Sequence, residues 1–212
     1  AIAGATSTTY TIASSVVADA GNYTCVVTVA SCGTITSNVA NVVVNQLPAI
    51  TTQPIGTTIC EGQGISLSVT ATGTGLTYQW YRNGTIAIPS ATSATYADAS
   101  VTLAEAGNYT VRVSGACTPA VTSSIAVINV NQAATFTQQP VASTTVCSGE
   151  TVTLTVATTG GTGVSYQWFK GSTAIAGATS TTYTIASSVV ADSGSYTCVV
   201  TVASCGTKTS SA

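Results

Sequence analysis

The chain has 212 residues, of which 6 are acidic and 4 basic, for a net charge of −2. Four cations are too few to neutralise a run of phosphates, which excludes a nucleic-acid partner. No apolar run reaches the roughly 18 residues of a membrane helix, so membrane insertion of this segment by a helix is excluded as well.

Forty-two residues are Thr and none is His. Solubility therefore rests on hydroxyls, and the β-branched content favours strand. Ser–His and Cys–His catalytic pairs are absent, and the chain is not read as an enzyme. Residues 1–39 recur as 174–212, differing only at positions 20, 22, 35, 38 and 39, so that 34 of 39 match. A shorter period runs inside: Trp80 to Trp168 is 88 residues, Cys60 to Cys147 is 87, Tyr23 to Tyr109 is 86 and Tyr109 to Tyr196 is 87. Such self-similarity marks an array of alternating near-copies.

In chain order, residues 1–47 read as the second half of a domain, and the chain as a segment of something longer. Strands are expected over Thr8–Ile12, Asn22–Val29 and Val39–Asn45, with Ala13–Ala20 as a corner. A boundary falls at Val44–Pro48, and its Val-Asn-Gln recurs at 130–132. The links are short and lack a Gly/Ser tract, which implies touching neighbours and a semi-rigid rod. Residues 48–133 read as one complete domain. Its strict alternation over Ile65–Thr70 turns Ile65, Leu67 and Val69 inward. Gly73-Thr74-Gly75 is a turn, Thr77–Arg82 a strand, and Asn83-Gly84 a tight turn. Further strands are expected around Thr95–Ala97, Asn108–Val113 and Ser124–Val130. Residues 134–212 repeat this order, with Val152, Leu154 and Val156 inward, and stop near the start of the last strand. No segment shows a helical period.

Two stretches organise the chain, Tyr78-Gln79-Trp80-Tyr81-Arg82-Asn83-Gly84 and Tyr166-Gln167-Trp168-Phe169-Lys170-Gly171-Ser172. An acid-x-Gly-x-Tyr-x-(Cys/Val) run recurs as Asp19–Cys25, Glu105–Val111 and Asp192–Cys198. A Trp on one strand, with a Tyr two positions before a Cys on another, resembles the immunoglobulin sandwich. Over essentially its whole length the chain resembles tandem immunoglobulin-like repeats of large secreted bacterial surface proteins, of the adhesin and gliding-motility type. The resemblance implies an all-β fold of tandem immunoglobulin-like β-sandwiches. It makes Trp80 and Trp168 core pins and Tyr23, Tyr109 and Tyr196 tyrosine-corner residues. Asp19, Glu105 and Asp192 then cap the corner turn; each stands alone, whereas calcium needs about six to eight oxygens. No metal site and no cofactor is expected.

Seven Cys with no Cys-x-x-Cys pair indicate an oxidising compartment rather than zinc. Cys25 and Cys198 fall where the family places its inward Cys. The usual partner position carries Leu67 and Leu154, so these two read as free, buried thiols. Cys60 and Cys147 precede the first inner strand, while Cys32, Cys117 and Cys205 follow the Tyr strand. In an immunoglobulin-like sandwich those places lie at opposite ends, about 25 Å apart at ~3.3 Å per strand residue. A disulfide needs Cα atoms within about 7 Å. The preferred pairing is therefore interdomain, Cys60–Cys205, leaving Cys32, Cys117 and Cys147 open or paired outside the segment. The alternative is the intradomain set Cys60–Cys117 and Cys147–Cys205.

Tyr81 and Phe169 alternate with the buried Trp and are expected outward, with Arg112 on the neighbouring strand over Tyr81. The leading expectation is a structural repeat at the cell surface: a stalk, spacer or filament whose partners are neighbouring copies of itself. The alternative is a carbohydrate- or protein-binding module that uses the Tyr81, Arg112 and Phe169 face for a glycan or protein ligand.

Overall fold

A computed structural model describes all 212 residues. Helix is confined to three single turns, Val17–Asp19, Leu103–Glu105 and Val190–Asp192.

Residues 49–131 close into a two-layer sandwich. In one layer Ile86–Ala87, Thr77–Arg82, Gly107–Ser114, Ala126–Asn131 and Thr57–Cys60 lie side by side, and Val121–Thr122 pairs with Gly107–Ser114. All pairs are antiparallel except Ala126–Asn131 with Thr57–Cys60, which run parallel. The other layer pairs Ile65–Ser68 with Thr95–Asp98, and Ala49–Thr52 with Thr70–Thr72. Alternation places Ile65, Leu67, Val69, Val111 and Val113 in the core around Trp80. The Trp80 indole donates to the Ser93 carbonyl at 2.9 Å, so its one polar atom is satisfied at full burial.

Residues 134–212 repeat the plan. Thr173–Ala174, Ser165–Lys170, Tyr196–Val202 and Gly206–Thr209 form one layer. Val152–Thr155 pairs with Thr182–Ile185, and Thr135–Gln138 with Ala157–Thr159. Trp168, Leu154, Val156 and Cys198 share the core, and the Trp168 indole donates to the Ser180 carbonyl at 2.9 Å.

Residues 1–47 contain no buried residue. They form two small antiparallel pairs, Gly21–Tyr23 with Ala40–Val42 and Val26–Val29 with Gly33–Thr36. Here three expectations need correction. Thr8–Ile12 is not a strand, although its copy Thr182–Ile185 is. The expected strand Asn22–Val29 breaks at Thr24-Cys25, and Val39–Asn45 shortens to Ala40–Val42. The cause is common to all three: a lone strand has no neighbour for its N–H and C=O groups, and no facing layer covers this side. Cys25 is accordingly exposed rather than buried, while Cys198, on the same local sequence, is sealed against Trp168. The hairpin keeps its register, Val26↔Thr36 here and Val199↔Thr209 in the copy, because its contacts are local.

The corner recurs three times. The Tyr23, Tyr109 and Tyr196 hydroxyls donate to the carbonyls of Asp19, Glu105 and Asp192 at 2.7, 2.7 and 2.6 Å. The three carboxylates accept from the backbone N–H of Val16, Thr102 and Val189 at 2.8, 2.7 and 2.9 Å, capping the single helical turns. Inside each sandwich the corner Tyr stacks on a second Tyr, Tyr96 on Tyr109 at 5.8 Å and Tyr183 on Tyr196 at 6.0 Å between ring centres. Burial first, then the negative charge of Tyr109, Asp98 and Glu105, pushes the Tyr96 hydroxyl up to about 12. Burial likewise raises Tyr109, Tyr196 and the Cys198 thiol.

Trp80→Ala is expected to destabilise the middle sandwich by about 3–5 kcal/mol, as large aromatic truncations in cores do. Tyr81→Ala, one residue on but half-exposed, should cost about 1 kcal/mol or less; urea melts of both variants check this. The unfolded chain releases the Tyr96 proton at a lower pH than the folded one. Stability is therefore complete below about pH 10 and falls as pH rises towards 12. Thermal melts across that window, with absorbance at the tyrosinate band, check the sign. Under native alkylation Cys25 should react at least about tenfold faster than Cys198, as read by peptide mass mapping.

Candidate functional site

The sandwich cores hold no cleft lined by convergent titratable groups, and no three Cys, Asp or Glu side chains come together. The chemistry of the molecule gathers instead where the middle sandwich meets the third one. The main chain crosses at Asn131–Ala134. Asn131 is buried, donates through Nδ2 to the Ala203 carbonyl and accepts through Oδ1 from the Thr162 hydroxyl, both at 2.9 Å. Ser204 donates from Oγ to the Thr58 carbonyl at 3.0 Å. Ala134 seals the seam against Val200 and Val202.

Cys60 ends the Thr57–Cys60 strand, whose register sets it directly beside Asn131. Cys205 lies in the turn between Tyr196–Val202 and Gly206–Thr209. Their sulfurs are bonded, with the Cα atoms 4.9 Å apart. Cys117 is half-buried and free, and Cys32 and Cys147 are exposed and free. The Cys60–Cys117 and Cys147–Cys205 pairs are therefore not formed, because Cys60 and Cys117 sit at opposite ends of one sandwich.

The glycine turns belong to the joints. Gly160 has φ +78° and lies so close to the linker that a Cβ there would meet the Ala133 carbonyl at 2.8 Å. Gly73 plays the same part in the preceding joint, where a Cβ would stand 3.0 Å from the Pro48 Cα. There Gln46 and Thr74 exchange two hydrogen bonds, at 2.9 and 3.1 Å, and no disulfide crosses. Asn131, Thr162 and Ser204 were not singled out in sequence. The recurrence of Val-Asn-Gln at both linkers was the signal, and it was read only as a boundary.

Trp80 and Trp168 lie in the cores and Tyr23, Tyr109 and Tyr196 at the corners, away from this seam. Tyr81 and Arg112 share one outward face, opposite Thr110 and Gln79 respectively. Arg112 does not lie over Tyr81. Phe169 is half-buried on the corresponding face of the third sandwich. The cation that does cover a ring is Lys170, 5.8 Å above Tyr196 and on the inner side. Arg82 occupies the equivalent position and donates to the Ala104 carbonyl at 3.2 Å. Sequence reasoning missed both; their shared place two residues after the Trp was the available signal.

Two family models match, an immunoglobulin domain over residues 135–201 and an Ig-like domain, CHU_C associated, over residues 46–131. No curated protein matches the chain. Among solved structures, a three-immunoglobulin fragment of titin is 20% identical with a TM-score of 0.64, covering 78% of this chain. The chain spans 64% of that fragment. Extracellular domains 3–5 of Drosophila OTK are 23% identical at TM-score 0.62, covering 93% of this chain and 71% of that one. Immunoglobulin domains 1–4 of Sidekick-1 are 18% identical at TM-score 0.67, covering 92% and 58%. At these identities the likeness is one of architecture. What the matches and the two stacked cores establish together is that this chain carries immunoglobulin-like domains in tandem.

Proposed function

We propose that the chain is a structural repeat segment, a stalk or spacer of a large extracellular bacterial surface protein that holds an adhesive or motile part away from the cell. In this reading residues 1–47 are the C-terminal half of one unit, 48–133 a complete unit, and 134–212 a unit short of most of its last strand. The observation that carries the reading is the Cys60–Cys205 bond between consecutive sandwiches.

A flexible tether would leave each sandwich free to rotate about Asn131–Ala134. Here the bond and the Asn131, Thr162 and Ser204 contacts fix the joint at several points on both sides of the linker. The cross-link closes 145 residues of sequence, and in the chain-entropy account a loop of that size removes about 5 kcal/mol of unfolded-state freedom. Such bonds persist in oxidising surroundings, which supports a place outside the cell. Bacterial origin rests on the resemblance of the repeats. Near-identical units that contact only their neighbours lengthen a rod without redesign.

Non-reducing peptide mapping of the native protein is expected to find Cys60 linked to Cys205, with Cys25 and Cys198 as free thiols. Cys60→Ser should broaden the interdomain distance distribution in solution scattering while leaving both cores folded. Cys60 found linked to Cys117, or found as a thiol, would sink the rigid-stalk reading.

A further inference from the structure

The Cys60–Cys205 bond also changes which residues lie on the covalent path through the molecule. Its sulfurs close a loop with a sequence separation of 145. Every residue of the buried clusters, from Ile65 to Val202, lies inside that loop, Trp80 and Trp168 included. Two segments of the sandwiches lie outside it. Residues 49–60 carry the Ala49–Thr52 and Thr57–Cys60 strands, and residues 206–212 carry the Gly206–Thr209 strand. Neither segment contains a helix or a turn.

Both segments are already stretched out, and both run lengthwise. Ala49 pairs with Thr72, beside Gly73 at one end of the middle sandwich, and Cys60 stands next to Asn131 at the other end. Across the bridge Gly206 pairs with Val202 at the near end of the third sandwich, and Thr209 with Val199 further down. The bond therefore joins strands of two sandwiches into one extended covalent line. Extended chain has little length left to give, since about 3.3–3.6 Å per residue is its limit. The two Trp cores stand beside this line. Without the bond the line is broken, and a pull must pass from Cys60 through both cores to reach Cys205.

We propose that the Cys60–Cys205 bond sets whether the repeat can be stretched, and that a small thiol such as glutathione releases it. With the bond closed, a pull runs along the bridge and both cores stay folded. With it open, both sandwiches unfold in series. The span from residue 60 to residue 205 then grows from 4.9 Å between Cα atoms to about 490 Å, at ~3.4 Å per residue. Cys60 is 9% exposed and Cys205 is half-buried, so attack falls on the Cys205 sulfur. A glutathione thiolate bonds to Cys205 Sγ, and the Cys60 sulfur leaves as a thiolate and takes a proton from water. A second glutathione thiolate attacks the glutathione sulfur of the mixed disulfide. Cys205 leaves as a thiolate, and the two glutathiones depart as their disulfide. A pull along the bridge lengthens the bond that must break, so cleavage quickens with the pull. At rest the Asn131 and Ser204 contacts still hold the joint after cleavage, so stretching requires both the thiol and the pull.

The source of the pull is the stalk proposed above, yet the two readings fail separately. A native protein without the bond ends the stalk reading, whereas a bond that is present but indifferent to pulling ends this one. Single-molecule force spectroscopy of the 212-residue chain, held by its two ends, gives the test. Without thiol the chain is expected to reach about 230 Å at full extension, and glutathione should add about 490 Å. The double variant Cys60→Ser, Cys205→Ser should reach about 720 Å in either buffer. In the wild-type chain the rate of cleavage by glutathione should rise about tenfold from weak to strong pulling. A cleavage rate that is the same at every pull would overturn the proposal, because the bridge would then lie off the line. So would a wild-type chain that carries the bond and gains no length in glutathione.

Discussion

Both closed sandwiches in this molecule depend on one contact, a tryptophan buried between two layers. Trp80 and Trp168 each pack against residues of both sheets of their sandwich, and each ties its one polar atom to a carbonyl in the bend that leads into the opposite layer. Around them valines and leucines on alternating positions find a facing surface. Residues 1–47 hold no Trp and no facing layer, and nothing among them is buried. The chain thus contains its own control: 39 residues appear twice, nearly unchanged, once against a Trp strand and once without. The difference between Cys198 and Cys25, or between Thr182–Ile185 and Thr8–Ile12, is the effect of tertiary context on one local sequence.

With ten charged residues the molecule relies on hydrogen bonds between neutral groups. No buried side-chain nitrogen or oxygen lacks a partner. Ser123 and Ser210 show how this is done: each accepts from a backbone N–H in the core, at Val111 and Cys198, at 3.0 and 2.9 Å. Several of the few charges are placed at the corners. Glu105 caps a turn, Arg82 reaches the carbonyl of Ala104 in that turn, and Lys170 covers Tyr196. Each acts locally, through a defined carbonyl, N–H or ring, and none forms a field that would steer a charged ligand.

The strand bearing the Trp was legible to the residue, because strict alternation runs into a tight turn: the expected Thr77–Arg82 is the observed Thr77–Arg82. Inward residues Leu67, Val69, Leu154 and Val156 were legible for the same reason. Less legible was any feature that depends on a neighbour distant in sequence. Thr57–Cys60 carries no alternation of its own and becomes a strand only by lying beside Ala126–Asn131. Asn131 looked like linker, since nothing local says that its side chain will be enclosed by Thr162 and Ala203. Gly73 read as a turn former; its further constraint, shared with Gly160, is the close approach of the linker backbone, which exists only after assembly.

The parallel pairing of Thr57–Cys60 with Ala126–Asn131 has a mechanical meaning. Tension arriving from the third sandwich enters the middle one at two adjacent points, through the main chain at Asn131 and through the sulfur bridge at Cys60. These points sit side by side at the same end of two strands that run the same way. The load is therefore shared between neighbours and pulls both along their length, so the ladder next to them must slide as a unit rather than open one rung at a time. A joint wired in this way distributes force before it yields.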